Sequence, residues 1–114
     1  MSKQAFPLVD SLPELEQRIQ RAAALAVWFS GPDCRVCSDL KPKLASLLDS
    51  RFPLMETALV DCARTADVAA RYQVFSVPTL LVFFDRRESL RKVRNMSLRS
   101  LESELQRPYH LLFD

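Results

Sequence analysis

Two stretches of the chain, Ala24-Leu-Ala-Val-Trp-Phe-Ser30 and Thr79-Leu-Leu-Val-Phe-Phe84, are apolar at almost every position. Each is far shorter than the roughly 18 residues a membrane-spanning helix needs, and each has the length of a strand. A strand that alternates has one wet face, whereas one that is apolar throughout has both faces covered. Covering both faces requires helices on each side of a sheet, and the rest of the sequence supplies them in alternation with strands.

Asp10-Ser11-Leu12-Pro13-Glu14 opens a helix: Ser11 is placed to cap it, Glu14 stands three positions on, and Pro13 is tolerated in the first turn. Leu12, Leu15 and Ile19 then recur at helical spacing. Gly31-Pro32-Asp33 stops the first strand, and a second helix is predicted from about Cys34 to Ser50 with Leu40, Leu44, Leu47 and Leu48 inward. Pro42 falls inside it and is expected to kink it. Leu54 to Asp61 reads as a second buried strand and Thr65 to Tyr72 as a short helix. After Thr79–Phe84 a turn at Asp85 to Arg87 leads to a weakly alternating edge strand, Glu88 to Arg94, and Ser97 caps a last helix carrying Leu98, Leu101 and Leu105. This order predicts an α/β sandwich with a central mixed β-sheet. At 114 residues, without repeats or a linker, residues 1–114 read as one domain.

Charge and composition remove several classes of function. Sixteen basic and fourteen acidic side chains leave a net charge of +2, too weak a field to draw the protein onto nucleic acid or anionic lipid. The only glycine is Gly31, against an average usage of about 7%, which excludes glycine-rich phosphate loops. A single histidine, His110, excludes sites that need two and reads as a surface residue. Residues Met1 to Asp10 lack the apolar core of a signal peptide, and three cysteines are too few for a secreted disulfide scaffold. The expected setting is the reducing cytoplasm and the expected state a monomer. In that setting a Cys-x-x-Cys pair is redox-active or metal-binding rather than structural.

That pair is Cys34-Arg35-Val36-Cys37, which follows a predicted strand and opens a predicted helix. A helix N-terminus presents unpaired amides and a partial positive charge, which favour thiolate over thiol. Cys34 then lies at the exposed end of the helix and Cys37 one turn inside, so one sulfur can attack a disulfide while the other resolves the mixed intermediate. Cys62, at the end of the second strand, reads as a small buried hydrophobe. A zinc site from Cys34, Cys37, Cys62 and His110 lacks paired spacing, so no metal is expected. Arg86, Arg87, Arg91, Lys92 and Arg94 read as edge-strand protection, with an acidic-partner patch as the alternative.

The residues around this pair resemble the thioredoxin family. Pro42 falls five residues after Cys37, and Pro78 falls 41 residues after it in the setting Ser76-Val77-Pro78-Thr79, similar to the family's cis-proline loop. Val60-Asp61 and Asp67-Val-Ala-Ala-Arg-Tyr72 resemble the intervening segment, and the resemblance runs from about Ser11 to Leu105. It implies the thioredoxin fold, a central mixed β-sheet of four to five strands flanked by about four helices. It also implies Cys34 as nucleophile and Cys37 as resolving thiol, with no cofactor beyond the Cys34–Cys37 disulfide. A cis bond before Pro78 has its own rationale, because only proline makes such a bond cheap. The loop can then expose Val77 to pair with an extended substrate backbone. Val77, Pro78, Gly31, Pro32 and Asp33 form the expected substrate-binding surface.

The sequence also departs from the family, whose usual active site reads Trp-Cys-Gly-Pro-Cys. Asp33 replaces the aromatic and Val36 the proline, a position that affects reduction potential in this family. Arg35 and the helix terminus favour the thiolate while Asp33 opposes it, and with Asp33 turned to solvent the favourable influences win. Trp28 stands where thioredoxins carry a buried aspartate that takes a proton from the resolving thiol, and Leu59 aligns with that aspartate's lysine partner. The joint loss of both charges is what burial requires, since one without the other would cost several kcal/mol. The resemblance thus implies a thiol–disulfide oxidoreductase, a protein-disulfide reductase in cytoplasmic redox homeostasis and electron transport. Its partners would be protein disulfides and a reductase or other thiol donor, with no nucleic acid and no membrane. The alternative is a thioredoxin-like chaperone or adaptor with little turnover, and a third reading is a metal-linked or sensor role through all three cysteines.

Overall fold

A computed structural model describes residues 6–114. Four helices, α1 (Leu12–Arg21), α2 (Arg35–Arg51), α3 (Ala66–Arg71) and α4 (Leu98–Phe113), alternate with strands β1 (Ala24–Ser30), β2 (Glu56–Asp61), β3 (Thr79–Phe84) and β4 (Arg87–Val93). The sheet order is β2-β1-β3-β4, with β1 parallel to β2 and the β1–β3 and β3–β4 pairs antiparallel. This is the mixed sheet that the alternation of elements predicts.

The two apolar stretches occupy the centre of the sheet, and their residues divide between two cores. Ala24, Ala26 and Trp28 join Leu80, Val82 and Phe84 under α2 and α4. Leu25, Val27 and Phe29 join Leu81 and Phe83 under α1 and α3. Successive side chains of a strand point to opposite faces, so a strand covered on both sides has little place for polar residues, and the buried Thr79 at the start of β3 is satisfied by the Ser76 carbonyl.

The helix starts are set by side-chain caps. Ser11 Oγ accepts from the Glu14 amide at 3.2 Å, while Glu14 Oε1 accepts from the Asp10 amide at 3.0 Å. Ser97 Oγ accepts from the Ser100 amide at 3.2 Å. Helix α2 starts one residue later than predicted, because Cys34 is its cap, and it runs through Pro42 to Arg51. Strand β2 starts at Glu56 rather than Leu54, whose amide instead donates to the Tyr109 hydroxyl at 3.0 Å.

Two features went unread in the sequence. Residues Pro7 to Val9 cover the outer edge of β2: the Leu59 amide donates to the Pro7 carbonyl at 2.8 Å and the Val9 amide to the Leu59 carbonyl at 2.9 Å. Helix α4 continues past Pro108 to Phe113, held by buried Tyr109, whose ring packs edge-on against Phe52 with centroids 5.0 Å apart. Tertiary packing here outweighs the donor that proline removes.

With so little glycine, left-handed backbone falls to other residues: Asp33, Gln73, Asp85, Arg86 and Arg94 all have positive φ. Asp85 (φ 52°) and Arg86 (φ 67°) are the two central residues of the β3–β4 hairpin, and their sign is that of a type I′ turn. Arginine has no compensation for this conformation beyond an exposed pairing with Asp85 at 3.2 Å, which contributes little. Arg86→Gly is therefore expected to stabilise the fold by about 0.5 to 1 kcal/mol, raising the denaturation midpoint by a few degrees. An unchanged or lower midpoint would contradict the strain assigned to this turn.

Candidate active site

Strand β1 ends at Ser30, and Gly31 to Asp33 carry the chain over the sheet edge to the start of α2. Asp33 makes the reversal in the left-handed region (φ 58°) and is exposed. Cys34 follows as N-cap with extended backbone (φ −99°, ψ 98°), and its Sγ accepts from the Cys37 amide at 3.2 Å. A sulfur thus holds the position that serine or aspartate usually takes, and an amide donor aimed at it stabilises negative charge there. The first turn of α2 has no acidic residue to offset the positive end of the helix dipole, whereas α1 and α3 carry Glu14 and Asp67.

Cys34 and Cys37 are joined as a disulfide with their Cα atoms 5.3 Å apart. Cys37 is only 3% exposed and belongs to the core that contains Trp28, while Cys34 is half-buried and packs against that core. One sulfur is therefore reachable and its partner is shielded. The reachable side opens into a recess of about 490 Å³ lined by Gly31, Pro32, Asp33, Cys34, Arg35 and Ser38.

The Val77–Pro78 peptide is cis, and this loop stands directly beside the cysteine loop. A Cβ placed on Gly31 would lie 3.5 Å from Val77 Cγ2, so the two segments are already in close approach. The Pro78 carbonyl accepts from the Arg94 amide at 2.6 Å, and Thr79 Oγ1 donates to the Ser76 carbonyl at 2.8 Å. Val77 is half-buried and Pro78 buried. The structure thus brings Gly31, Pro32, Asp33, Cys34, Arg35, Val77 and Pro78 to one end of the sheet, with Trp28 beneath. Trp28 and Leu59 are direct cross-strand partners, so the two apolar replacements are neighbours in the sheet.

Cys62 differs from its expected place. It is half-buried rather than buried, because it lies just beyond β2, where its amide donates to the Ser30 carbonyl at 2.8 Å. Burial pushes its thiol pKa up, and the neighbouring Asp61 carboxylate raises it further. It lines a groove of about 390 Å³ with Ala69, Val74, Phe75 and Val77. Phe75 is 86% exposed there, an apolar surface that the sequence reading missed because it sat between assigned elements.

The basic cluster on β4 is largely engaged. Arg91 donates to the Tyr72 and Gln73 carbonyls at 2.8 and 3.1 Å and pairs with Glu88 at 2.9 Å. Lys92 pairs with Glu104 at 2.7 Å. Arg91 therefore fastens the segment after α3 to the sheet. His110 is exposed and pairs with Asp114. Among the described residues no three of His, Cys, Asp or Glu gather around a point that could hold a metal ion. No described helix is long and apolar enough to cross a membrane.

Comparison with known proteins gives the same picture. The sequence profile of the Thioredoxin family matches residues 8–107. The thioredoxin-like protein YdfQ of Bacillus subtilis (strain 168) is 37% identical over 101 residues, 89% of each chain. Among solved structures, Fasciola hepatica thioredoxin superposes with a TM-score of 0.78 at 24% identity over 89% of this chain and 98% of that one. A mutant thioredoxin from Halobacterium salinarum superposes with a TM-score of 0.78 at 22% identity, over 90% of this chain and 89% of that one. Those two likenesses are of fold. Together with a profile match across most of the chain and a paired Cys-x-x-Cys at the head of α2, they carry one conclusion: the chain belongs to the thioredoxin family.

Proposed function

We propose that the protein is a protein-disulfide reductase that exchanges dithiol for disulfide through Cys34 and Cys37. The observation that carries this reading is the Cys34 sulfur, capped by the Cys37 amide and half-exposed, paired with a buried second thiol. In the reduced protein the Cys34 thiolate attacks one sulfur of a partner disulfide and expels the other as a thiolate. Cys37 then attacks Cys34, closing the Cys34–Cys37 bond and releasing the partner's second sulfur. The loop ahead of Pro78 offers Val77 for backbone pairing with an extended segment of the partner. Gly31, Pro32 and Asp33 form the facing wall. A reductase or small thiol donor in the cytoplasm completes the cycle by reducing the disulfide, and no metal or organic cofactor enters it. The near-neutral surface favours protein partners over nucleic acid or membrane.

A second reading, a chaperone or adaptor, is favoured by the exposed apolar side chains of Phe75 (86%) and Val36 (46%) on either side of the pair. The two are separated by a Cys34→Ser, Cys37→Ser double variant. Loss of its cellular effect supports the reductase, and full retention supports the adaptor.

A Cys37→Ser variant is expected to accumulate a covalent adduct with its partner, because the attacking thiol remains and the releasing one is gone. Absence of any dithiothreitol-sensitive adduct, with Cys34 present and reduced, would count against the mechanism. Insulin reduction with excess dithiothreitol is expected to run at least about tenfold slower than with a thioredoxin that has a buried carboxylate, since Trp28 and Leu59 leave no general base beneath Cys37. An equal rate would refute that. Alkylation followed by mass spectrometry is expected to label reduced Cys34 before Cys62 at pH 7. The Cys62 rate should keep rising above the ordinary thiol range, because its raised pKa holds it protonated there. Labelling of Cys62 first would reverse this assignment.

A further inference from the structure

Among the described residues, the Trp28 indole nitrogen is the one buried side-chain nitrogen or oxygen with no hydrogen-bond partner. The side chain is fully buried, and a donor that has left water without finding an acceptor destabilises the state in which this holds. Its position limits what could satisfy it. Strand β1 directs Trp28 to the α2 face, and Leu59 and Leu80 flank it in register on the neighbouring strands, whose backbone groups are engaged in the ladders.

The hydrophobic side chains of that core include one phenol and four sulfurs, those of Tyr109, Cys34, Cys37, Met55 and Met96. Thr57 adds a buried hydroxyl on the same face of β2, opposite Ala26 and about 7 Å along the strand from the level of Trp28, away from the cysteines. The Tyr109 hydroxyl already accepts from the Leu54 amide. Met55 immediately precedes Glu56, which pairs with Leu25, so it lies level with the start of β1, about 13 Å along the strand from the level of Trp28. What remains at the Trp28 end is the cysteine pair and the thioether of Met96, a weak acceptor. Of the two cysteines, Cys37 is the fully enclosed member of the core, while Cys34 already accepts an amide.

We propose that the Trp28 indole N–H donates to the Cys37 sulfur once the Cys34–Cys37 bond is reduced. This rests on the oxidoreductase reading. While tied to Cys34, the Cys37 sulfur is out of hydrogen-bond geometry with the indole; reduction frees it to turn toward the N–H, and a thiolate is a strong acceptor, so the donor is orphaned in the oxidised protein and satisfied in the reduced one. Trp28 is then a positioning residue with two effects. It holds the Cys37 thiolate ready without a base beneath it, and it weights the redox equilibrium toward the dithiol.

The resolving step balances without a carboxylate. Cys37 gives its proton to water and attacks Cys34 Sγ of the mixed disulfide. The Cys34–Cys37 bond forms and the bond from Cys34 to the partner sulfur breaks. The electron pair leaves on the partner's sulfur, which takes up a proton from water. Over the cycle the partner gains two electrons and two protons, and the protein loses as many.

The test is the equilibrium of the whole protein with a glutathione redox buffer, in wild type and Trp28→Phe, which keeps a ring in the core and deletes the donor. The variant is expected to hold its disulfide about tenfold more strongly, a potential about 30 mV lower for a two-electron couple. In a Cys34→Ser background, alkylation of Cys37 is expected to begin at higher pH when Trp28→Phe is added, a shift that a purely structural ring would not produce. Should Trp28→Phe fail to fold, the wild-type indole proton and nitrogen resonances decide: they are expected to move downfield on reduction and to follow the Cys37 titration. A folded variant with unchanged equilibrium and pH profile, or indole resonances indifferent to reduction, overturns this role and leaves the oxidoreductase reading standing. A wild-type pair that does not equilibrate with glutathione at any ratio overturns both.

Discussion

Strand β1 is enclosed by a core on each face and by β2 and β3 on its edges, so the chain can leave it only along its own axis. That exit, at Gly31 to Asp33, fixes where α2 begins. The cysteines owe their position to burial of the strand before them rather than to any contact of their own. Because Cys34 is the cap, its charge state and the start of the helix are linked: a thiolate is a better acceptor for the Cys37 amide than a neutral thiol. Reduction thus creates the group that the helix end most favours; no acidic residue in the first turn opposes it, and Asp33, just ahead of the cap, is exposed to solvent.

The apolar pair Trp28 and Leu59 follows from the same enclosure. The two residues face each other across the β1–β2 ladder at the end of the sheet nearest the cysteines. A single carboxylate at the fully buried position 28 would lie in a dry site without a counter-ion, a change that destabilises by several kcal/mol. An apolar residue at both positions avoids that penalty and keeps the core intact. The indole N–H of Trp28 is then the one buried side-chain nitrogen or oxygen without a hydrogen-bond partner among the described residues.

How much of this was legible in the sequence depends on how local the cause is. The central strands were legible because full burial leaves an unbroken apolar signature, and the caps at Ser11 and Ser97 because a cap is a contact across three residues. The cysteine pair was legible from its spacing, and the cis bond at Pro78 from the resemblance to the thioredoxin family, since proline's chemistry permits such a bond without requiring it. The strand-like pairing of Pro7 to Val9 was not, because three residues show no period. The passage of α4 through Pro108 was not, because Tyr109 depends on Phe52 and Leu54, more than fifty residues away. The partial exposure of Cys62 was missed for a similar reason: being one residue past the end of a buried strand does not say what covers it.

The charges on β4 show how a cluster in sequence can dissolve in space. Read along the chain, Arg86, Arg87, Arg91, Lys92 and Arg94 make a basic run; in the fold, three of the five meet Asp85, Glu88 and Glu104. Arg91 goes further and ties the Tyr72 and Gln73 carbonyls to the sheet, just ahead of the segment that carries Phe75, Val77 and Pro78. A charge that reads as surface decoration therefore anchors the approach to the cis-proline loop. What is left facing outward around the cysteines is the apolar surface of Val36 and Phe75 and an open recess whose two charges, Asp33 and Arg35, are of opposite sign. That agrees with a chain whose opposite charges are nearly balanced.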